Sequence, residues 1–134
     1  MTDLVLTEQN DGVMVITINR VQARNAINYA CAEQLALAFD QLDADPSLHI
    51  GVLTGAGNGF SAGMDLKDFA KSRIRPRIGN RGFAGLTEGP PAKPLIAAVE
   101  GFALAGGFEM VLACDIEISA KGAKFVLPEV KRPV

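Results

Sequence analysis

Histidine occurs once in this 134-residue chain and cysteine twice. His49 has no second histidine, and no acidic or cysteine companion beside it. That leaves little support for a histidine-based metal cluster or a Ser-His-Asp triad, and no metal site is expected. Ser61 sits in Phe-Ser-Ala-Gly rather than in a Gly-x-Ser-x-Gly elbow, so it reads as a turn residue. Cys31 and Cys114 are far apart, in apolar surroundings and without metal-ligand spacing. They read as small hydrophobes in a reducing cytoplasm, not as a disulfide framework. An excess of one charge is missing as well. Thirteen Lys and Arg against fifteen Asp and Glu give a net charge of -2, so neither nucleic acid nor an anionic membrane is an expected partner. The N-terminus lacks a basic stretch followed by a long apolar one, so no signal peptide is read. The most apolar segment, 101–114, is interrupted by Glu109 and too short to span a bilayer. What is present is ordinary for a soluble globular protein, with 49% hydrophobic and 21% charged residues, and the length suits one domain over 1–134.

Leu4 to Thr7 and Val13 to Asn19 read as strands joined by Asn10-Asp11-Gly12, a hairpin turn in which positive φ is tolerated. From Asn28, a candidate N-cap, apolar residues at Cys31, Leu35, Ala38, Phe39 and Leu42 follow helical spacing until Asp45-Pro46. Ile50 to Thr54 is short and apolar, as expected of a strand buried on both faces. A glycine-rich loop and a short helix from Met64 to Ala70 follow. Residues 71–93 gather Lys71, Arg73, Arg75, Arg77 and Arg81 among glycines and prolines. That composition reads as a mobile loop without strand or long helix, either simply solvated or offering arginines to the phosphates of a ligand. Pro94 to Val99 is a strand, 101–107 a small-residue turn, and a helix runs on to about Cys114. Two short strands, Asp115 to Ala120 and Lys124 to Leu127, precede Pro128-Glu129. Strands alternating with helices predict an α/β layered fold.

Two glycine-rich turns carry the chemistry. Each leads from a strand into a helix, where free N–H groups and the helix dipole favour a permanent anion or an oxyanion formed during reaction. The first turn is Gly55 to Lys67. Its Gly57 to Ala62 stretch also fits a loose dinucleotide fingerprint, but the acidic residue such a unit needs about 20 residues on falls in the arginine-rich loop. A tight turn without ligand is the plainer alternative. The second turn is Gly101 to Glu109, where Glu109 either complements the helix dipole or marks an exposed helix face, or else stands beside free N–H groups near reacting atoms. Glu129, read alone, is an ordinary loop glutamate.

Taken together, these stretches resemble the enoyl-CoA hydratase/isomerase (crotonase) superfamily. Asn19-Arg20 with Ala23 to Asn28 resembles the family's N-R-P-x-x-x-N-A-x segment, with Val21 where proline is usual. Val52 to Lys67 (VLTGAGNGFSAGMDLK) resembles its first oxyanion loop, and Pro94 to Asp115 (PLIAAVEGFALAGGFEMVLACD) its second. Phe125 to Glu129 resembles its F-x-x-P-E turn. The resemblance implies a crotonase-like (ClpP/crotonase) spiral of β-β-α units. It implies backbone donors at Met64 and Gly106, a glutamate pair Glu109 and Glu129, and an acyl-CoA thioester running past Ala23, Arg24, Ala62, Asp65 and Leu66, with Arg24 and Lys67 towards the adenosine phosphates. It implies reversible hydration of 2-enoyl-CoA without metal or redox cofactor, and assembly of relatives into trimers or hexamers. Family members are longer, so the C-terminal helical part is expected to be absent from this chain. Isomerase, hydrolase or decarboxylase chemistry on the same scaffold, and a non-catalytic acyl-CoA-binding or assembly role, are the alternatives.

Overall fold

The computed structural model describes residues 3–127. The chain opens with a hairpin of β1 (Val5–Asn10) and β2 (Val13–Ile18). Its turn residues Asp11 and Gly12 have φ of 50° and 82°, the positive pair that Asp-Gly accommodates. Helix α1 (Tyr29–Ala44) starts where the Asn28 side chain accepts a hydrogen bond from the Cys31 N–H. Strand β3 (Ile50–Gly55), helix α2 (Leu66–Ser72), the two-residue strands β4 (Arg77–Ile78) and β5 (Gly82–Phe83), and strand β6 (Leu95–Val99) follow. Strand β7 (Phe102–Leu104), helix α3 (Gly106–Ala113), β8 (Ile116–Ser119) and β9 (Lys124–Val126) complete the described chain.

The main sheet has the order β1-β2-β3-β6-β8, antiparallel only at the β1/β2 hairpin. Seven residues of α1, among them Leu35, Phe39 and Leu42, are buried. All of them but Ala36 share one core with Met14, Ile16 and Ile18 of β2, Leu53 of β3 and Leu95 and Ala97 of β6. The i, i+3/i+4 spacing on α1 and the alternation on β2 and β6 bring these residues to one seam.

A second, smaller layer runs alongside. β7 pairs parallel with β9, Ser61 bridges Ala103 of β7, and Met64 bridges Ile27, both in parallel sense. The chain therefore repeats one step. A main-sheet strand (β2, β3, β6, β8) leads to a contribution to the small layer (Ile27, Ser61 to Met64, β7, β9), and the first three steps continue into α1, α2 and α3. This is a spiral of β-β-α units, each turn adding one strand to the main sheet and a strand or bridged segment to the small layer.

Three expectations from the sequence are corrected. β3 is not buried on both faces: Gly51 and Leu53 are buried, whereas Ile50, Val52 and Thr54 on the other face are half-buried. An apolar run does not distinguish these cases, because half-covered valine and isoleucine suit either face. Residues 71–93 do contain strand. β4 and β5 form a small antiparallel ladder, and Ala84, Gly85 and Leu86 are buried, with Gly85 lying against α1 at Ala32 and Ala36. A few apolar residues anchor that segment despite its composition. The short helix also begins later than Met64, at Leu66, because the Asp65 side chain caps it by accepting from the Asp68 N–H.

Candidate active site

The first glycine-rich turn is built around a buried asparagine. Asn25 is 1% exposed and has φ 57°, a left-handed conformation that asparagine tolerates. Its side chain accepts from the Arg20 N–H at 2.9 Å and donates to Ala56 O and Gly59 O, each at 2.9 Å. One amide thus ties the segment after β2 to the loop after β3. Ser61, fully buried, donates to Asn25 O at 2.8 Å and accepts from the Gly63 N–H at 3.0 Å. Asp65 is held by Arg20 Nη1 at 3.0 Å, and the same nitrogen donates to Ala26 O at 2.5 Å. Both side chains of this ion pair are largely buried, at 14% and 13% exposure. Partial burial pushes the Asp65 carboxyl up. Hydrogen bonds from the Asp68 N–H and the Arg20 guanidinium, with that guanidinium's charge, outweigh burial and hold the carboxyl below its ordinary value.

Across the small layer, β7 ends at Leu104, whose N–H donates to Ser61 O at 3.0 Å. Ala105 follows with φ 49°, and α3 begins at Gly106 without a side-chain cap. The two turns pack backbone on backbone: a Cβ on Gly63 would stand 2.9 Å from Gly106 N. A Cβ on Gly106 would stand 2.8 Å from two ring carbons of Phe83, so Phe83 closes over this corner from β5. Among the described residues, no acceptor receives the Met64 N–H or the Gly106 N–H. The first is skipped by the parallel bridge to Ile27. The second opens a helix, where intrahelical acceptors are lacking.

Met64, Gly106 and Glu109 line one cleft of about 520 Å³, together with Ala62, Leu66, Ala105 and a wall of Arg75, Pro76, Arg77 and Phe83. Two open N–H groups beside a carboxylate can stabilise an oxyanion while the carboxylate moves a proton. Arg75 stacks on Phe69, 5.2 Å from the ring centroid, and Arg77 pairs with Glu88. The remaining expected contacts lie elsewhere. Arg24 sits in a hollow of about 200 Å³, its guanidinium 4.5 Å from the Phe102 ring centroid. Ala23 lies in the 3-10 turn just before it. Asp65 and Lys67 line a third hollow with Asp68 and Lys71. The N–H groups of Ala62 and Asp65 are engaged by Arg24 O and Ile27 O, which leaves ligand contact there to other atoms. Glu129 lies outside the described residues.

Asn25, Phe83 and Ala105 are the site residues that the sequence reading passed over. Asn25 stands in a segment with no helix or strand period, and Phe83 lies within the arginine- and glycine-rich residues 71–93. The one local signal was Asn25's place in the N-R-containing segment.

The chain matches the family model described as enoyl-CoA hydratase/isomerase over residues 8–132. It is 39% identical over 125 residues to the mevalonyl-coenzyme A hydratase of Aspergillus fumigatus, covering 91% of this chain and 46% of that protein. It is 41% identical over 134 residues to an Escherichia coli carnitinyl-CoA dehydratase, covering 98% and 51%. Among solved structures, a probable enoyl-CoA hydratase/isomerase from Mycobacterium abscessus superposes with a TM-score of 0.93 at 54% identity, covering 100% of this chain and 52% of that one. The chain spans about half the length of the curated relatives it matches. A shared fold, near-complete coverage of this chain and the family model's match over residues 8–132 leave one assignment: the chain belongs to the enoyl-CoA hydratase/isomerase family.

Proposed function

We propose that this chain carries the hydration chemistry of an acyl-CoA hydratase, adding water reversibly to a 2-enoyl-CoA thioester. The observation that carries the reading is the meeting of two open backbone donors, Met64 N–H and Gly106 N–H, with Glu109 in one cleft. When water oxygen bonds to Cβ, electron density moves onto the thioester oxygen and Cα takes a proton. Two preorganised donors stabilise that enolate-like state, each worth roughly 3 kcal/mol of barrier by comparison with other oxyanion holes. Because the donors are main-chain groups, methionine serves at position 64 as well as a polar residue would. Glu109 takes the proton from water. Glu129, matched to the family's second glutamate, supplies the proton to Cα, and the two carboxyl groups divide the work through coupled protonation.

The thioester and pantetheine are assigned to the strip formed by Ala23, Arg24, Ala62, Asp65 and Leu66, with Arg24 and Lys67 nearest the phosphates. The exposed guanidinium of Arg24 and ammonium of Lys67 suit anions. The reading needs no resident cofactor beyond coenzyme A in the substrate. It places the chain in cytoplasmic fatty-acid or related acyl-CoA metabolism, as a homo-oligomer of the kind the family resemblance implies.

A second reading is isomerisation of the enoyl double bond. It draws on Glu109 being the single carboxylate that lines the cleft among the described residues. Loss of 2-enoyl-CoA absorbance with purified protein, followed by product identification, tests both. A 3-hydroxyacyl-CoA product that disappears with Glu109→Gln supports hydration. A shifted double bond supports isomerisation, and unchanged turnover in Glu109→Gln removes the assigned mechanism.

A further inference from the structure

Ala105 has φ 49° and ψ -116°, a combination that glycine adopts freely and an L side chain occupies only under strain. Two hydrogen bonds hold it there. Its N–H donates to Val126 O of β9 at 2.7 Å, and its carbonyl accepts from the Glu109 N–H in the first turn of α3 at 3.1 Å. Its methyl lies beside the first turn, 3.4 Å from where a Cβ on Gly63 would stand. The residue is therefore pinned to a strand and a helix at once, with its methyl facing the neighbouring loop.

The Gly106 N–H belongs to the peptide between Ala105 and Gly106, so the ψ of Ala105 sets the direction of that N–H. An ordinary helical ψ near about -42° would rotate the peptide by roughly 75° and turn the donor away from its present heading. Relaxation of Ala105 and loss of that heading are one motion.

We propose that Ala105 is a positioning residue for the reaction: its clamped, strained backbone aims the Gly106 N–H, and its methyl, packed towards Gly63, restricts the swing that a glycine would permit. This rests on the acyl-CoA reading above. Ala105→Gly relieves the strain while widening the accessible ψ range. Ala105→Ser keeps a Cβ and restores the restriction. Strain predicts a higher thermal midpoint for Ala105→Gly than for the parent chain. Aim predicts a weaker pull on a bound thioester carbonyl at unchanged affinity.

The test is difference infrared spectroscopy of carbonyl-labelled butyryl-CoA, a saturated thioester that cannot be hydrated, bound to the 134-residue chain and to both variants. Thermal unfolding is measured on the same samples. The parent chain is expected to lower the carbonyl frequency, Ala105→Gly to lose most of that shift without weaker binding, and Ala105→Ser to retain it. A full shift in Ala105→Gly, equal loss in Ala105→Ser, or a lower thermal midpoint for Ala105→Gly overturns the positioning role. Binding without any carbonyl shift in the parent removes the oxyanion assignment itself, and no binding removes the acyl-CoA reading.

Discussion

Ser61 and Ala103 are bridge partners on neighbouring turns of the spiral, and each stands three residues before a candidate donor, Met64 and Gly106. The two donors thus occupy equivalent positions in successive repeats. Their proximity follows from the pairing register, not from a dedicated loop. Ser61 also holds that register chemically, through Asn25 O and the Gly63 N–H. Ser61→Ala leaves both groups buried without their partner, and the expected loss is about 2 kcal/mol. Urea unfolding measures it; an unchanged midpoint would show that the hydroxyl contributes nothing.

Asn25 joins three backbone groups from a left-handed conformation. Ala at this position loses the bonds and is strained; Gly loses the bonds alone. Asn25→Gly is expected to cost roughly 3 kcal/mol and Asn25→Ala about 1 kcal/mol more. Equal costs for the two variants would assign the whole effect to hydrogen bonding.

The Asp65 carboxyl titrates below its ordinary value in the folded chain. A depressed folded pKa contributes stability that is present above the unfolded value, about 3.9, and is lost as pH falls through the folded one. Acid titration should show a loss of stability beginning near that upper limit. Asp65→Asn should lack this component, and carbon NMR of the carboxyl gives the folded midpoint directly. A midpoint at or above the ordinary value would contradict the account.

Phe83 and Gly106 occupy adjoining space. Gly106→Ala presses a methyl against the ring, and overpacking of this kind costs about 1–3 kcal/mol. Phe83→Ala in the same chain should recover part of that loss, so a double-mutant cycle is expected to show favourable coupling. Additive losses would mean that the ring moves aside freely.

Burial pushes the Cys31 thiol up to about 12, and burial with the neighbouring Asp115 charge does the same for Cys114. Thiolate is the reactive form, so iodoacetamide at pH 8 should leave both unmodified until the chain unfolds. Mass spectrometry before and after denaturant reads this out. Rapid labelling of the folded protein would contradict it.

The sequence made α1, the β1/β2 hairpin and the parallel strands legible because their signals are local: a cap at Asn28, an Asp-Gly turn, apolar runs of fixed period. Motif order also singled out Met64, Gly106 and Glu109, which the fold brings to one cleft. β7 was not legible: three residues between a glycine and a strained alanine carry no period, and they become a strand through distant pairing with β9 and Ser61. The role of Asn25 was hidden for a similar reason, since its bonds reach Ala56 and Gly59, more than thirty residues on. The strand content of 71–93 was masked by arginine and glycine, while its anchoring came from Ala84 and Leu86.

The spiral also separates where chain length is free from where it is not. From α2 to β6 the chain takes 22 residues, 73–94, to return, whereas from α3 to β8 it takes two, Cys114 and Asp115. Both returns deliver a strand to the same sheet. From Ser61 to Met64 and from Ala103 to Gly106 the count is identical, and one residue more or less would rotate a different peptide into the donor's place. Insertions and deletions should therefore be accommodated where helices hand back to strands, and rejected between Ser61 and Met64 and between Ala103 and Gly106.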